Sequence, residues 1–333
     1  MTPKVTVITP TKNRLSLLCE AIDSVKAQDF AAWEHIVIDD GSDDGSAAEI
    51  ERRSRADPRI RLIRRMGDKA GANVCRNLGL NESTAELIVF LDSDDLLRSH
   101  CLGRRVEVMQ RNLDLDFATF NGAVFAKVRD DLGDRVDYDH LGDDFTRFLT
   151  FECPWIITGP IWRKQVLLRI GAFDESLLSW QDVDLHIRAI GSGCKYLRFF
   201  DVDHDIRWQF ESTKVSVQQR RSSRHLEAAP SIFAKFEKAV RDGPGMNWNR
   251  QRALCGLYFS AAEMMLARGA AGRARASWKL VRHRGLASKA LYLQGAMLLA
   301  LMSLGGLSAR IGARLSHKWK GIVRFRTIPE LVG

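Results

Sequence analysis

The stretch Glu86-Leu-Ile-Val-Phe-Leu-Asp-Ser-Asp-Asp95 constrains this chain more than any other, because an apolar run stops abruptly in three carboxylates within four residues. An unbroken run from Leu87 to Leu91 suits a strand covered on both faces, where no alternation is needed. Open α/β sheets bind ligands in the crevice beyond the carboxyl ends of their strands, so Asp92 and Asp94 are expected to enter such a crevice with Ser93 between them. Carboxylates this close repel unless a cation lies among them, and hard oxygen ligands favour Mg²⁺ or Mn²⁺ carrying a diphosphate. The competing reading is a polar strand end, with one aspartate capping a helix that starts near Leu96.

The residues before this stretch read as its parallel neighbours. Lys4-Val-Thr-Val-Ile-Thr9 is β-branched strand material halted by Pro10. Leu15, Leu18, Ala21, Ile22 and Val25 then fall at helical spacing, and Glu34-His-Ile-Val-Ile-Asp39 is a second strand that breaks at Asp40-Gly-Ser-Asp-Asp-Gly-Ser46. Strand, helix and strand with short links form a right-handed parallel βαβ unit. A helix near Ala47 to Arg55, a strand from Ile60 to Ile63 and a helix from Gly71 to Leu80 extend the pattern. Segment 40–51 carries Asp40, Ser42, Asp44, Gly45 and Glu51 at calcium-loop spacing, but a strand precedes it where such a loop needs a helix, so that reading is set aside. No Gly-x-Gly-x-x-Gly or Gly-Lys-Ser/Thr run follows any strand, which excludes the common phosphate loops.

Downstream, the pattern predicts a helix from Leu96 to Asn112, strand material over Leu115 to Val128, an Asp- and Gly-rich loop over 130–144, and a short helix from Arg163. A further helix spans Trp180 to Arg188 with Asp182 at its amino end, where spacing alone makes it an N-cap or dipole partner.

At 333 residues the chain accommodates a domain of about 200 residues plus an appendage. Charge divides it in the same way. Residues 1–216 carry 29 Lys+Arg against 36 Asp+Glu, net −7, whereas residues 217–333 carry 21 against 5, net +16. An acidic first part fits a cation-dependent site, and a basic second part fits an anionic partner. The six cysteines are scattered, with no zinc-ligand spacing, which points to a reducing compartment and structural thiols. Met-Thr-Pro-Lys runs straight into a strand without a signal-peptide core, so a cytoplasmic location is expected.

Taken together, Val7-Ile-Thr-Pro-Thr-Lys-Asn-Arg14, Ile38-Asp-Asp-Gly-Ser42, Arg76-Asn77, Phe90-Leu-Asp-Ser-Asp-Asp95, Gly171-Ala-Phe-Asp-Glu175 and Gln181-Asp-Val-Asp-Leu185 resemble the family 2 inverting glycosyltransferases. Each block is weak alone, and their order and spacing over residues 4–216 carry the resemblance. It implies a GT-A-type, Rossmann-like fold: a mixed, mostly parallel sheet flanked by helices, here as domain 1–216 with a helical extension over 217–333. It also implies a nucleoside-diphosphate sugar donor, UDP- or dTDP-linked, and a glycan or lipid-linked acceptor in cell-surface glycan synthesis. Pro10, Thr11 and Asp40 would border the base, with Asn13 in the same site and Arg76 nearby. Asp92 would face the ribose, Asp94 would hold Mg²⁺ or Mn²⁺ on the diphosphate, Arg207 would reach the diphosphate, and Asp182 would be the catalytic base. Trp180 and Gln181 are candidates for the acceptor pocket, as is Trp155, although a buried Trp is equally a core residue.

Inverting transfer fits this set, since a single displacement needs one carboxylate to take the acceptor proton and a cation to stabilise the departing diphosphate. Three positions depart from the family pattern: Lys12 stands where relatives carry an aromatic, Gln181 replaces a Glu, and Gln209 lies where a His often follows. The alternative reading is a non-catalytic nucleotide-sugar-binding or scaffold protein.

Residues 217–333 read as helical, over Ser231 to Val240, Asn249 to Arg268, Ala271 to Arg284 and from Leu286 onward. Ala290 to Ala309 is an uncharged run of 20 residues with seven Leu. As one helix it would span about 30 Å, a bilayer core, or else pack against its neighbours. The basic residues from Arg310 to Arg326 beside it favour contact with an anionic membrane, hence a peripheral position at the inner face of the cytoplasmic membrane. No nucleic-acid partner is expected, since only the basic tail points that way.

Overall fold

In the computed structural model the described residues are 2–127, 129, 131, 132, 142–208, 223–304 and 306–322, and the side chains of 223–226, 306, 307, 321 and 322 are not among those described. The chain divides into two compact units. The first comprises Met1–Leu141, Trp155–Leu185 and Cys194–Phe210, and the second Gly142–Pro154, His186–Gly193 and Glu211–Gly333. The expected boundary at 216 lies outside the described residues.

The first unit alternates strand and helix from its start: β1 (Val5–Thr11), α1 (Leu15–Lys26), β2 (Trp33–Asp39), α2 (Ser46–Ala56), β3 (Ile60–Arg64), α3 (Ala72–Glu82) and β4 (Leu87–Phe90). It continues with β5 (Leu96–Leu97), α4 (Cys101–Arg111) and β6 (Phe117–Phe125). After α5 (Asp144–Leu149), which belongs to the second unit, come β7 (Pro160–Arg163), α6 (Lys164–Arg169), α7 (Gln181–Gly191) and β8 (Tyr196–Arg207). The eight strands form one sheet in the order β3-β2-β1-β4-β7-β6-β8-β5. Four of its seven pairings are parallel, three of them in the block β3-β2-β1-β4 and one between β6 and β8. This is the mixed α/β sheet flanked by helices that the sequence implies.

Why the first four strands are parallel follows from their burial. Val5, Val7, Ile8, Ile36, Val37, Ile38 and Leu87 to Leu91 are all within 5% exposure, so helices cover both faces. Each such side chain taken from water contributes about 1.5–3 kcal/mol. Gly79 lets α3 close on the sheet, because a Cβ there would lie 2.6 Å from Ile8 Cγ2 and 2.8 Å from Ile38 Cδ1.

Two sequence expectations change here. Leu96 and Leu97 do not begin a helix: they pair antiparallel with Asp205 and His204 of β8, and α4 starts only at Cys101. None of the three aspartates caps that helix, whose N-cap is His100. The apolar run 290–309 is likewise not one helix. In the second unit α8 (Ser223–Asp242), α9 (Trp248–Ala267) and α10 (Ala271–His283) lead to α11 (Lys289–Ser303), which stops before Leu304, and α12 (Gly306–Ile322) begins after it. Leu291, Gly295, Leu298 and Leu299 are buried, with Gly295 so close to the Trp278 indole that an added Cβ would meet it at 2.4 Å. Among the described residues no helix is long and apolar enough to cross a membrane.

Candidate active site

Three strand ends and one helix end converge on the site. β1 ends in Pro10 and Thr11, in register with Ile38 and Asp39 of β2, and β4 lies on the other side of β1. The turn after β1 is held rigidly. Asn13 takes the left-handed conformation at φ 51°, its backbone N–H donates to Ser42 Oγ at 3.0 Å, and its side-chain oxygen accepts from Asp43 N at 2.9 Å. Asp44 accepts from Leu15 N at 2.9 Å and from Ser46, which joins the turns after β1 and β2 and starts α1. Asp44 thus serves a loop-to-helix junction, not a calcium site. Lys12 is exposed beside these turns.

The carboxylates after β4 are each met by a guanidinium. Arg14 Nη1 donates to Asp94 Oδ2 at 2.7 Å, and Arg76 Nη2, from α3, donates to Asp92 Oδ1 at 2.6 Å. Asp92 and Asp94 are 36% and 18% exposed, whereas the Arg76 side chain is 3% exposed. Arg76 is nevertheless incompletely used: its Nε and Nη1 make no hydrogen bond within the described residues, and neither does the buried Thr11 Oγ1. Buried donors left open in this way cost roughly 1–3 kcal/mol each unless a ligand or solvent meets them. Asp40 accepts from Arg65 and from Gly71 N, so both of its oxygens serve the loop between β3 and α3.

Asp95 is the residue of the triplet to which no role is assigned from sequence. It is buried, accepts from Thr158 Oγ1 at 2.9 Å and from Arg207 N at 3.1 Å, and its pKa is raised well above the usual carboxylate range by burial and by the charges of Asp94 and Asp92. Arg207 in turn donates Nε to the Asp94 backbone oxygen at 3.1 Å and Nη2 to Glu20. Thr158 also gives its carbonyl to Arg105, which is fully buried in a two-pronged pair with Asp203 at 2.7 Å for both bonds. The acidic turn is therefore braced from beneath by β8 and α4. Gln209 lies outside the described residues.

Asp182 opens α7. Burial pushes its carboxyl up; the Val183 N–H, at 2.9 Å, and the Arg76 charge pull it down, while Asp92 pushes it up further. Asp182 thus stands in the field of the Arg76–Asp92 pair. Trp180, just before it, has a φ of 63° and is buried, and Gln181 is half-buried. Such a backbone at a bulky residue costs about 1–3 kcal/mol and marks a place where the fold over-determines the chain. Trp155 lies in an aromatic group with Phe117 and Tyr196 and is 2% exposed. The block 171–175 acquires a function that the sequence did not disclose. Asn77 clasps Phe173 through both backbone groups at 2.9 Å and Asn73 donates to Asp174 O at 2.9 Å, so α3 carries the segment leading to Asp182.

The donor set fits a divalent cation. Among the described residues no three His, Cys, Asp or Glu side chains cluster as a metal cage. Mg²⁺ and Mn²⁺ are held by one or two carboxylates plus substrate phosphates, and Asp92 and Asp94 provide that number on a partly open strand end. A cation at Asp94 would compete with Arg14 for its carboxylate.

The arrangement is a GT-A-like mixed sheet that carries carboxylates and a buried guanidinium at its strand ends. Residues 6–162 match the family model described as glycosyl transferase family 2. It is 41% identical over 100 residues to the GalNAc(5)-diNAcBac-PP-undecaprenol beta-1,3-glucosyltransferase of Campylobacter jejuni, a match covering 30% of this chain and 32% of that protein. It is 32% identical over 120 residues to the putative teichuronic acid biosynthesis glycosyltransferase TuaG of Bacillus subtilis, covering 36% of this chain and 47% of that one. The chain thus spans about a third to a half of the length of these relatives. Its fold is similar to S. aureus TarS in complex with UDP-GlcNAc, with a TM-score of 0.58, 18% identity, and 77% and 73% of the two chains covered. It is also similar to the mannosyltransferase PcManGT of Pyrobaculum calidifontis in complex with GDP-Man and Mn²⁺, with a TM-score of 0.55, 20% identity, and 98% and 85% covered.

Proposed function

We propose that this glycosyltransferase moves a sugar, with inversion, from a UDP- or dTDP-linked donor to a hydroxyl of a glycan or lipid-linked acceptor in cell-surface polysaccharide synthesis. The observation that carries the reading is the pair of open donors on buried Arg76, set between Asp92 and the amino end of α7. A buried guanidinium with two nitrogens, Nε and Nη1, unpaired among the described residues beside two carboxylates suits a phosphate-bearing ligand that also brings a cation. Thr11 Oγ1, Pro10, Asn13 and Asp40 would line the base side. Asp92 would face the ribose and, with Asp94, hold Mg²⁺ or Mn²⁺, which when bound supplies positive charge to the leaving diphosphate.

Arg207 and Arg14, both bonded to Asp94, would orient the diphosphate beside it. Asp182 takes the proton from the acceptor hydroxyl as that oxygen forms its bond to the anomeric carbon, and the old bond leaves with its electron pair on the diphosphate. The raised pKa of Asp182 keeps it a stronger base than an ordinary aspartate, while a half-buried place at a helix start gives it one fixed direction. Trp180 and Gln181 would lie on the acceptor side. An acceptor carried on a lipid fits a basic second unit held at an anionic inner leaflet. The named activity of the C. jejuni relative, with its undecaprenol-linked acceptor, supports this chemistry.

Calorimetry with UDP-sugars and dTDP-sugars, with and without Mn²⁺, tests the proposal. Asp94→Ala is expected to abolish the metal-dependent part of donor binding. Donor affinity indifferent to both chelator and this substitution would refute the metal assignment.

A further inference from the structure

The second unit exposes apolar side chains where a globular surface ordinarily would not. Five of the thirteen large apolar residues that are exposed among the described residues, Leu293, Met297, Leu304, Ile311 and Leu315, fall within α11, α12 and the link between them, so the excess is local. Along α11 and its C-cap, Leu293, Met297 and Leu304, with the exposed Ala300, follow the three-and-four spacing of a helix face. Ile311, Leu315 and Lys318 form the matching stripe on α12.

Both stripes face the same way. Trp319 Nε1 donates to Gln294 Oε1 at 3.0 Å, and a Cβ on Gly312 would lie 2.9 Å from Met302 N and 3.1 Å from Leu301 Cβ, so the two helices run antiparallel with these rows in contact. Leu293 and Ala300 precede the contact residues Gln294 and Leu301 by one position, and Ile311 and Lys318 precede Gly312 and Trp319 by one. One position is a turn of about 100°. Because the helices are antiparallel, equal turns in their opposite directions bring the two stripes to one side of the hairpin. Arg310 and Arg314, one position earlier again, stand along its outer flank, exposed and without an ion pair among the described residues.

We propose that this side of the α11–α12 hairpin is a lipid-docking face: Leu293, Met297, Leu304, Ile311 and Leu315 enter the headgroup boundary of an anionic leaflet, and Arg310, Arg314 and Lys318 meet its phosphates. This deepens the membrane reading given above and rests on it. The opposite row of α11 stays packed on Trp278, so the hairpin lies in the interface plane and does not cross the bilayer. Charge selects the occupant. Residues 289–326 contain no Asp or Glu, so a second copy on this face would set like charges together, whereas an anionic leaflet complements them.

Sedimentation of the full chain with phosphatidylglycerol-containing vesicles, against phosphatidylcholine alone, tests the face. Binding is expected only with the anionic lipid and is expected to weaken with salt. Met297→Gln with Ile311→Gln and Leu315→Gln should lower partitioning at least about tenfold with thermal unfolding unchanged, since all three are exposed. Arg314→Glu with Lys318→Glu should lower it by a similar factor and remove the salt dependence. A full chain that stays in the supernatant, or a triple variant that binds like the wild type, overturns the proposal. So does a triple variant that turns a dimer into a monomer without lipid, which would make the face a contact between copies. Donor binding measured without vesicles separates these failures from failure of the transferase reading.

Discussion

The first unit settles the charges around its site residue against residue, whereas the second, which pairs Arg241 and Arg284 with Glu237 and Lys320 with Glu263, leaves much of the charge of α10 and α12 on the surface. Around the site Arg14 meets Asp94, Arg76 meets Asp92, Arg65 meets Asp40 and Arg105 meets Asp203. On α10 and α12, by contrast, Arg275, Lys279, Arg282, Arg310, Arg314 and Lys318 are exposed and make no ion pair among the described residues. The difference separates two uses of charge. Under the proposals above, the paired charges at the strand end would be held in place for a small ligand, while the unpaired charges on the helical surface would serve a large, soft, anionic partner.

The deepest pair should break the comparison most severely. Arg105→Met leaves Asp203 buried without its guanidinium, and removal of one partner from such a pair costs about 3–5 kcal/mol. Urea unfolding monitored by circular dichroism should show a loss of that order. A loss below about 1 kcal/mol would mean that His204, which also contacts Asp203 at 2.9 Å, suffices to compensate it.

Asp182 comes next. Asp182→Asn keeps the shape and removes the base, so turnover is expected to fall at least about a hundredfold with donor affinity near wild type. Its pKa is raised in the folded state, so the wild-type rate should fall with decreasing pH at a higher pH than an ordinary aspartate would give. The folded state binds this proton more tightly than the unfolded state does, so the carboxylate's contribution to stability is present at low pH and lost as pH rises through the raised pKa. The Asn variant should therefore be slightly more stable than wild type at neutral pH. Rate and stability moving down together would show that Asp182 is structural, and stopped assays with parallel thermal melts decide it.

A smaller effect is expected at Arg14. Arg14→Met frees Asp94 from its competitor, and Mn²⁺ titrated by calorimetry without donor should bind roughly fivefold tighter, the upper worth of a partly exposed ion pair. Unchanged or weaker Mn²⁺ binding would show that Arg14 supports the cation site instead of competing for it.

Much of the first unit could be read from local pattern, because β-branched runs ending in polar turns fix strands and their carboxyl edges. Resemblance then singled out Asp94 and Asp182. What stayed hidden depends on partners distant in sequence. Arg14 reaches Asp94 across 80 positions, and the side chain of Asp95 gains its burial from Thr158 and Arg207. Leu96 and Leu97 look helical until β8, more than 100 residues away, pairs with them. The pattern put a helix over Ser231 to Val240, yet α8 runs from Ser223 through Pro230 to Asp242. In the second unit composition made the run 290–309 look continuous, and its break at Leu304 follows from the antiparallel return of α12.

The smallest effect belongs to the unpaired surface, and it sharpens the comparison from the other side. Arg314→Glu with Lys318→Glu removes no ion pair and buries nothing, so stability in the absence of lipid should change by no more than about 0.5 kcal/mol. The sign should be positive at low ionic strength. Two acidic residues among so many Lys and Arg relieve self-repulsion, and screening over a Debye length of about 8 Å at physiological salt should erase the gain. Thermal melts at low and high salt read this directly. A clear destabilisation would mean that these side chains already hold the hairpin to its own protein, in which case the second unit pairs its charges as the first does and has none to spare for a membrane.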